Sequence, residues 1–332
     1  MYMMENPASS YKKLKTTREL TYNYLSVRAQ AGRPTLLFMH GFPDTSHGWY
    51  HQIDHFRTKG YGLVVPDMLG YGGTEKPTDP AAFAHTTIAQ DIVDILNAEG
   101  VESAYAIAHD WGSPIASILS IRHSERFLGF VFIAVPYGVP SKFPPLELAL
   151  KEQEKVYGRP VMGYWTFLTK DNAASEIEKN VESLLDVLYP ADPEIWTTLV
   201  NIPGNLESFV VEGRRLASAT YLPEIPREQL KNLLVQGGMT GPLNWYNSMV
   251  QGVNDDIIDE TEDLFIRRPT LMALAKFDYV AIESYVTSSM QQYTPVELLT
   301  ERRYDTGHWI HLEDPLRFNS DLEQWIEMVT KN

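Results

Sequence analysis

Short apolar runs alternate along this chain with segments whose apolar side chains recur every third or fourth position. Thr35 to Met39, Gly62 to Pro66, Ala104 to Ala108 and Phe127 to Val135 read as buried strands by length and composition. Between them, Trp49, Ile53 and Phe56 keep helical spacing, Ile88, Ile92, Ile95 and Leu96 share one face of a helix over about Thr87 to Glu99, and Pro114 to Arg122 is amphipathic. Arg18 to Val27 alternates loosely and is expected to pair with the next run. Nearly continuous apolar strands separated by helices predict an α/β fold: a mostly parallel sheet with helices on both faces.

The alternation breaks at Pro136. From Tyr137 to Val250 the chain carries helix formers, aromatics and Pro/Gly breaks but no convincing buried strand. Strand character returns at Arg268 to Ala275 and Val296 to Tyr304, and a closing helix carries Phe318, Leu322, Trp325, Ile326 and Val329 on one stripe. The expected organisation is an α/β core in two parts, 1–136 and 251–332, interrupted by a helical insertion, 137–250. The insertion leaves from a strand's C-terminal end, where open α/β sheets place their ligands.

Composition narrows the function. The net charge of −15 repels phosphate backbones and anionic lipids, which argues against nucleic-acid and membrane-surface partners. The absence of cysteine excludes disulfides, thiol catalysis and cysteine-held metals. Met1 to Thr17 has no apolar leader core, and no apolar run approaches the ~18 residues of a membrane span, so a cytoplasmic protein is expected. The acidic stretch Asn254 to Asp263 lacks calcium-loop spacing and is expected to be an exposed connection. Nothing in the sequence assigns an oligomeric state.

The chemistry concentrates at one corner. The run Ala104 to Ala108 stops at His109-Asp110-Trp111-Gly112, and a helix follows at once. A strand turning sharply into a helix with small residues at the bend is a nucleophile elbow, here with Asp110 where such elbows often carry serine. A serine that displaced a leaving group from saturated carbon would end as an ether, which water does not readily remove. A carboxylate ends as an ester, which water cleaves. Asp110 alone would also suit a helix N-cap. Two later residues favour the chemical reading: Asp278 beyond the strand Leu271 to Ala275, and His308 in the loop after the last strand. The order nucleophile, acid, histidine is that of α/β hydrolases. His308 would serve as general base, with Asp278 orienting it. The backbone N–H groups of Phe42 and Trp111 would form an oxyanion hole, with Phe42 in the turn His40-Gly41-Phe42-Pro43, whose Phe42–Pro43 bond is expected to be cis. Tyr164 and Tyr246 lie in aromatic-rich segments of the insertion, and neutral phenols suit hydrogen bonding to an epoxide oxygen.

Together these motifs resemble those of soluble epoxide hydrolases of the α/β-hydrolase superfamily. The resemblance rests on His40-Gly-Phe-Pro43 with Trp49 beyond it, His109-Asp-Trp-Gly112, Gly241-Pro-Leu-Asn-Trp-Tyr246 and Gly307-His-Trp309, and extends from about Arg18 to Val329. It implies an α/β-hydrolase fold with a helical cap, no cofactor and no metal, and an apolar small-molecule epoxide as substrate. It also implies an ester on Asp110 and epoxide-oxygen contacts from Tyr246 and Tyr164. Two positions depart from the family pattern: Ala108 stands where glycine precedes the His-Asp pair, and Ser113-Pro114 follows the elbow where glycine or alanine is common. A haloalkane or haloacid dehalogenase would share Asp110, Asp278 and His308, with Trp111 helping to hold halide, but would not need the tyrosine pair. A non-catalytic small-molecule receptor on the same fold would retain all of them.

Overall fold

The computed structural model describes residues 11–255, 257–259 and 261–331. The leader expectation at Met1 to Thr17 therefore lies mostly outside the described residues. One eight-stranded sheet runs in the order β1 (Tyr11–Lys15), β2 (Thr21–Val27), β4 (Gly62–Pro66), β3 (Thr35–Met39), β5 (Ala104–His109), β6 (Phe127–Ile133), β7 (Thr270–Ala275) and β8 (Leu299–Tyr304). From β4 to β8 all neighbours are parallel, while β2 is antiparallel to both β1 and β4. The opening strand therefore does not pair with Thr35 to Met39 as its position in the chain suggests. Strand β4 lies between them, because parallel neighbours need a crossover, here through helix α1 (Tyr50–Thr58).

Alternate residues feed two cores. Leu36, Phe38, Tyr105, Ile107, Leu271 and Ala273 face α1 and α14 (Pro315–Thr330), which contribute Phe56, Phe318, Leu322 and Trp325. Leu37, Met39, Ala106, Ala108, Met272 and Leu274 face α2 (His85–Ala98) and α3 (Gly112–Arg122). Burial on both faces is why these strands read as continuous apolar runs.

After β6 the chain passes Ala134 at φ 61° and runs through α4 (Leu146–Tyr157), α5 (Trp165–Leu168), α6 (Ala173–Lys179), α7 (Val181–Leu188), α8 (Trp196–Leu199), α9 (Asn205–Val211), α10 (Glu224–Gly237) and α11 (Thr240–Val250). A lone bridge, Pro190 to Ser218, is the β pairing seen there among the described residues. Asn254, at the head of the acidic stretch, is buried and accepts the His85 N–H at 2.8 Å, so the stretch begins as an anchor rather than as an exposed connection. Its residues 256 and 260 lie outside the described residues. Helix α12 (Glu283–Tyr293) joins β7 to β8, and α13 (Ile310–Glu313) precedes α14. Among the described residues, no helix is long and apolar enough to cross a membrane.

Candidate active site

Strand β5 ends at His109, and Asp110 takes φ 50° before α3 begins. Aspartate tolerates the left-handed region better than most residues, but such a conformation persists only where its surroundings enforce it. Two glycines let the corner fit. A Cβ on Gly112 would meet the Met39 carbonyl oxygen at 2.4 Å, and one on Gly41 would meet Asp110 Oδ1 at 2.3 Å. The departures from the family pattern are accommodated. Ala108 is fully buried, and Ser113 Oγ donates to the Val135 carbonyl at 2.8 Å, tying α3 to the segment where the cap begins.

The turn after β3 comes to the same point. His40 Nε2 accepts the Met68 N–H at 2.9 Å, so its Nδ1 carries the proton and donates to the Gly41 carbonyl at 2.9 Å. Burial lowers this imidazole's pKa to about 4, which keeps it neutral. The Phe42–Pro43 bond is cis. The Phe42 N–H donates to Asp110 Oδ1 at 2.7 Å, and the Trp111 N–H faces the same carboxylate.

His308 lies in the loop between β8 and α13. Its Nδ1 is 2.6 Å from Asp278 Oδ2, and its Nε2 is 3.7 Å from Asp110 Oδ2. Asp278 Oδ1 accepts the N–H groups of Val280 and Ala281 at 2.8 and 2.9 Å. Burial would raise the Asp278 pKa, but the His308 charge and these donors hold it below the usual carboxylate value. For His308, burial alone would lower the pKa. The charge and hydrogen bond of Asp278, then the charges of Asp110 and Glu313, outweigh burial and leave it above the ordinary value. Burial lifts Asp110, with His308 and the Phe42 and Trp111 amides opposing the rise and Asp278 adding to it.

Two cap tyrosines close the cavity over Asp110. Tyr164 immediately precedes α5 and Tyr246 lies on α11, with ring centroids 5.9 Å apart. Tyr246 also packs edge-on against Phe42 and Trp111, each at 5.0 Å. Burial pushes both phenols above their ordinary pKa, with the Asp110 charge adding to the rise, so both are neutral near pH 7. The remaining wall is Leu188, Trp196, Val200, Val280 and Trp309.

The structure thus brings Asp110, His308, Phe42, Tyr164 and Tyr246 around one space, with Asp278 bonded to His308 and with His40, Gly41, Pro43 and Trp111 in the two turns that present Phe42 and Asp110. Three neighbours had no role in the sequence reading. The Trp196 ring lies 5.3 Å from that of His308, tilted by 46°, and has no motif around it. Asp44, the residue after the turn, is buried, and burial raises its carboxyl to about pH 8. Glu313 accepts backbone N–H groups on either side of His308.

A carboxylate on an elbow, a histidine–aspartate pair beyond the later strands and a helical insertion over them make an α/β-hydrolase fold with an acidic corner. The sequence model of the alpha/beta hydrolase fold family matches residues 34–185. The chain's relatives and structural neighbours carry epoxide hydrolase names. The chain is 24% identical over 300 residues to Bifunctional epoxide hydrolase 2 of Sus scrofa, covering 90% of this chain and 52% of that protein. It therefore spans about half the length of the first curated relatives it matches. It is 26% identical over 320 residues to Epoxide hydrolase B of Mycobacterium tuberculosis, covering 86% of this chain and 89% of that one. The fold matches an epoxide hydrolase from an endophytic Streptomyces with TM-score 0.82 at 22% identity, over 97% of this chain and 96% of that one. Epoxide Hydrolase A of Mycobacterium thermoresistibile matches with TM-score 0.79 at 22% identity, over 96% and 98% of the two chains.

Proposed function

We propose that this protein hydrolyses an epoxide to a vicinal diol through an ester on Asp110. The observation that carries this reading is the composition of a single cavity: a carboxylate on the elbow and two neutral phenols from the cap share it. Asp110 Oδ1 is held by the Phe42 N–H, which leaves Oδ2 as the attacking atom. Oδ2 displaces the epoxide oxygen from one ring carbon, and the electron pair of the broken C–O bond moves to that oxygen. Tyr246 or Tyr164 gives it a proton and becomes a phenolate. His308 then takes a proton from water as the water oxygen adds to the ester carbon, and Oδ1 carries the negative charge against the Phe42 and Trp111 N–H groups. One such donor is worth about 2.7–4 kcal/mol in a transition state. Collapse expels the diol oxygen, which takes the proton from His308. The regenerated carboxyl returns its proton to the phenolate. The steps balance as epoxide plus water to diol and need no cofactor or metal.

The cap segment 137–250 supplies Tyr164, Tyr246 and most of the apolar wall, which suits an apolar epoxide. A single turnover in ¹⁸O-water with excess protein should leave the label in the Asp110 carboxylate and none in the diol. In His308→Gln the ester should accumulate and be visible by mass spectrometry. Label passing directly into the diol, with no adduct in that variant, would overturn the proposal. One observation keeps a dehalogenase in view: the Trp111 and Trp165 indoles lie 5.7 Å apart beside Asp110. Turnover of chloroalkanes together with inertness toward a broad epoxide panel would replace the epoxide reading.

A further inference from the structure

His308 separates two spaces. In front is the cavity containing Asp110 and the tyrosines. Behind is a second, smaller one, walled by Pro193, Trp196, Tyr221, His308 and Glu313. Glu313 is the carboxylate in that rear wall. Its Oε2 accepts the Gly307 N–H at 2.7 Å and its Oε1 accepts the Trp309 N–H at 3.1 Å, so its two oxygens hold the N–H groups of the residues on either side of the histidine. A Cβ on Gly307 would lie 3.1 Å from both Glu313 Oε1 and Pro193 Cβ, so glycine there permits this approach. Among the described residues, no lysine, arginine or histidine makes an ion pair with Glu313. Two backbone amides are weak compensation for a largely buried carboxylate, which would ordinarily be placed beside a cation. The cation that can arise nearby is protonated His308.

We propose that Glu313 is a positioning residue for His308, clamping the loop on both sides of the base and placing a second negative charge behind the ring when the ring is protonated. Asp278 fixes one ring nitrogen, and Glu313 fixes the backbone from which the ring projects. The second charge acts at the step in which water is deprotonated, because the imidazole gains its proton there. The other groups facing His308 are Asp110, Asp278, His109 and His311, and burial holds both of these histidines neutral. Protonation of Glu313 itself is shifted upward by burial, against the pull of its two amides and of His308.

This inference rests on His308 being the base of the proposed reaction, and the two can fail separately. In Glu313→Gln, which keeps the side chain's shape, formation of the Asp110 ester should stay within about twofold of the parent. Ester hydrolysis should slow, and its acidic limb should move to lower pH by about half a unit or more, the sign expected when a stabilising anion is removed from an imidazolium. A slower hydrolysis with an unmoved acidic limb would reduce Glu313 to a loop clamp and overturn the charge role. An unchanged rate and profile would overturn the whole proposal. The unmutated protein gives an independent check. The His308 ring-proton resonance, followed by NMR, should show a second inflection as Glu313 protonates, and a single inflection would sink the inference. Failure of ester formation in any variant would instead count against the epoxide reading.

Discussion

Residue types at the elbow follow from how closely three backbones approach. Asp110, the turn after β3 and the start of α3 meet where Gly41 and Gly112 leave no room for a side chain. Gly41→Ala should therefore damage chemistry more than folding. Its Cβ would meet both Asp110 Oδ1 and Asp110 Cβ, at 2.3 and 2.4 Å, so either the carboxylate or the Phe42 N–H must shift. A displacement of that kind costs on the order of 10²-fold in turnover, whereas overpacking costs about 1–3 kcal/mol of stability. Steady-state kinetics beside a urea titration would check this, and normal turnover in a folded variant would refute it. These positions were legible because each serves local geometry: an apolar run, small residues at a bend, then a helix. Tyr246 stood out for the specificity of the string around it, Gly241 to Tyr246. Tyr164 has no comparable string, and its nearness to Tyr246 depends on how α5 and α11 pack, which no local pattern encodes.

At the scale of elements, the same string proves to be a joint. Gly241 packs against Gly70, which has φ 91°, and a Cβ on Gly241 would come within 2.8 Å of the Gly70 Cα. Asn244 Nδ2 donates to the carbonyls of Pro77 and Thr78 at 3.2 and 3.1 Å, and Trp245 Nε1 donates to the Leu69 carbonyl at 2.9 Å. These contacts seat α11 on the loop after β4, and Tyr246 follows from that seating. Gly241→Ala should lift α11, because backbone lies on both sides of the new methyl and neither can yield cheaply. The expected result is about a 10–100-fold slower formation of the Asp110 ester, with ester hydrolysis slowed less, since His308 and the Phe42 N–H are held by the core rather than by α11. Rapid mixing resolves the two steps, and equal slowing of both would show that α11 supports more than the phenol. Elements built for edges or partial burial were the ones the sequence concealed. Strand β1, Tyr-Lys-Lys-Leu-Lys, is a lysine-rich edge with no buried residue, and α12 buries only Val286 and Met290. Neither carries the apolar periodicity that made β3 to β7 readable, and charge on an edge strand is itself a guard against pairing with other chains.

For the whole molecule, the decisive relation is between cap and core, because neither supplies a complete site. Beside the carboxylate, the two are joined by Tyr189 and Trp309. Their rings stack 4.0 Å apart at 16°, Trp309 Nε1 donates to the Leu188 carbonyl at 2.7 Å, and Tyr189 Oη donates to the Pro43 carbonyl at 2.8 Å. The second of these bonds fixes the cap onto the turn that presents the Phe42 N–H, so it links global stability to the proposed oxyanion donor. No sequence pattern exposes it, since tyrosine and tryptophan from distant parts of the chain are unremarkable until the cap folds back. Tyr189→Phe keeps the stacked ring and removes one buried hydroxyl. The buried Pro43 carbonyl then loses this partner, a loss of about 1–3 kcal/mol. Because the bond spans cap and core, the urea midpoint should fall while the transition keeps its slope, so that the two parts still unfold together. The turn, freed on one side, should also position Phe42 less well, slowing ester hydrolysis more than ester formation. A variant with unaltered stability and kinetics would mean that the stacked rings alone hold the cap in register. A broadened or split unfolding transition would mean that the cap has its own equilibrium, and that the hydroxyl was what coupled it to the core.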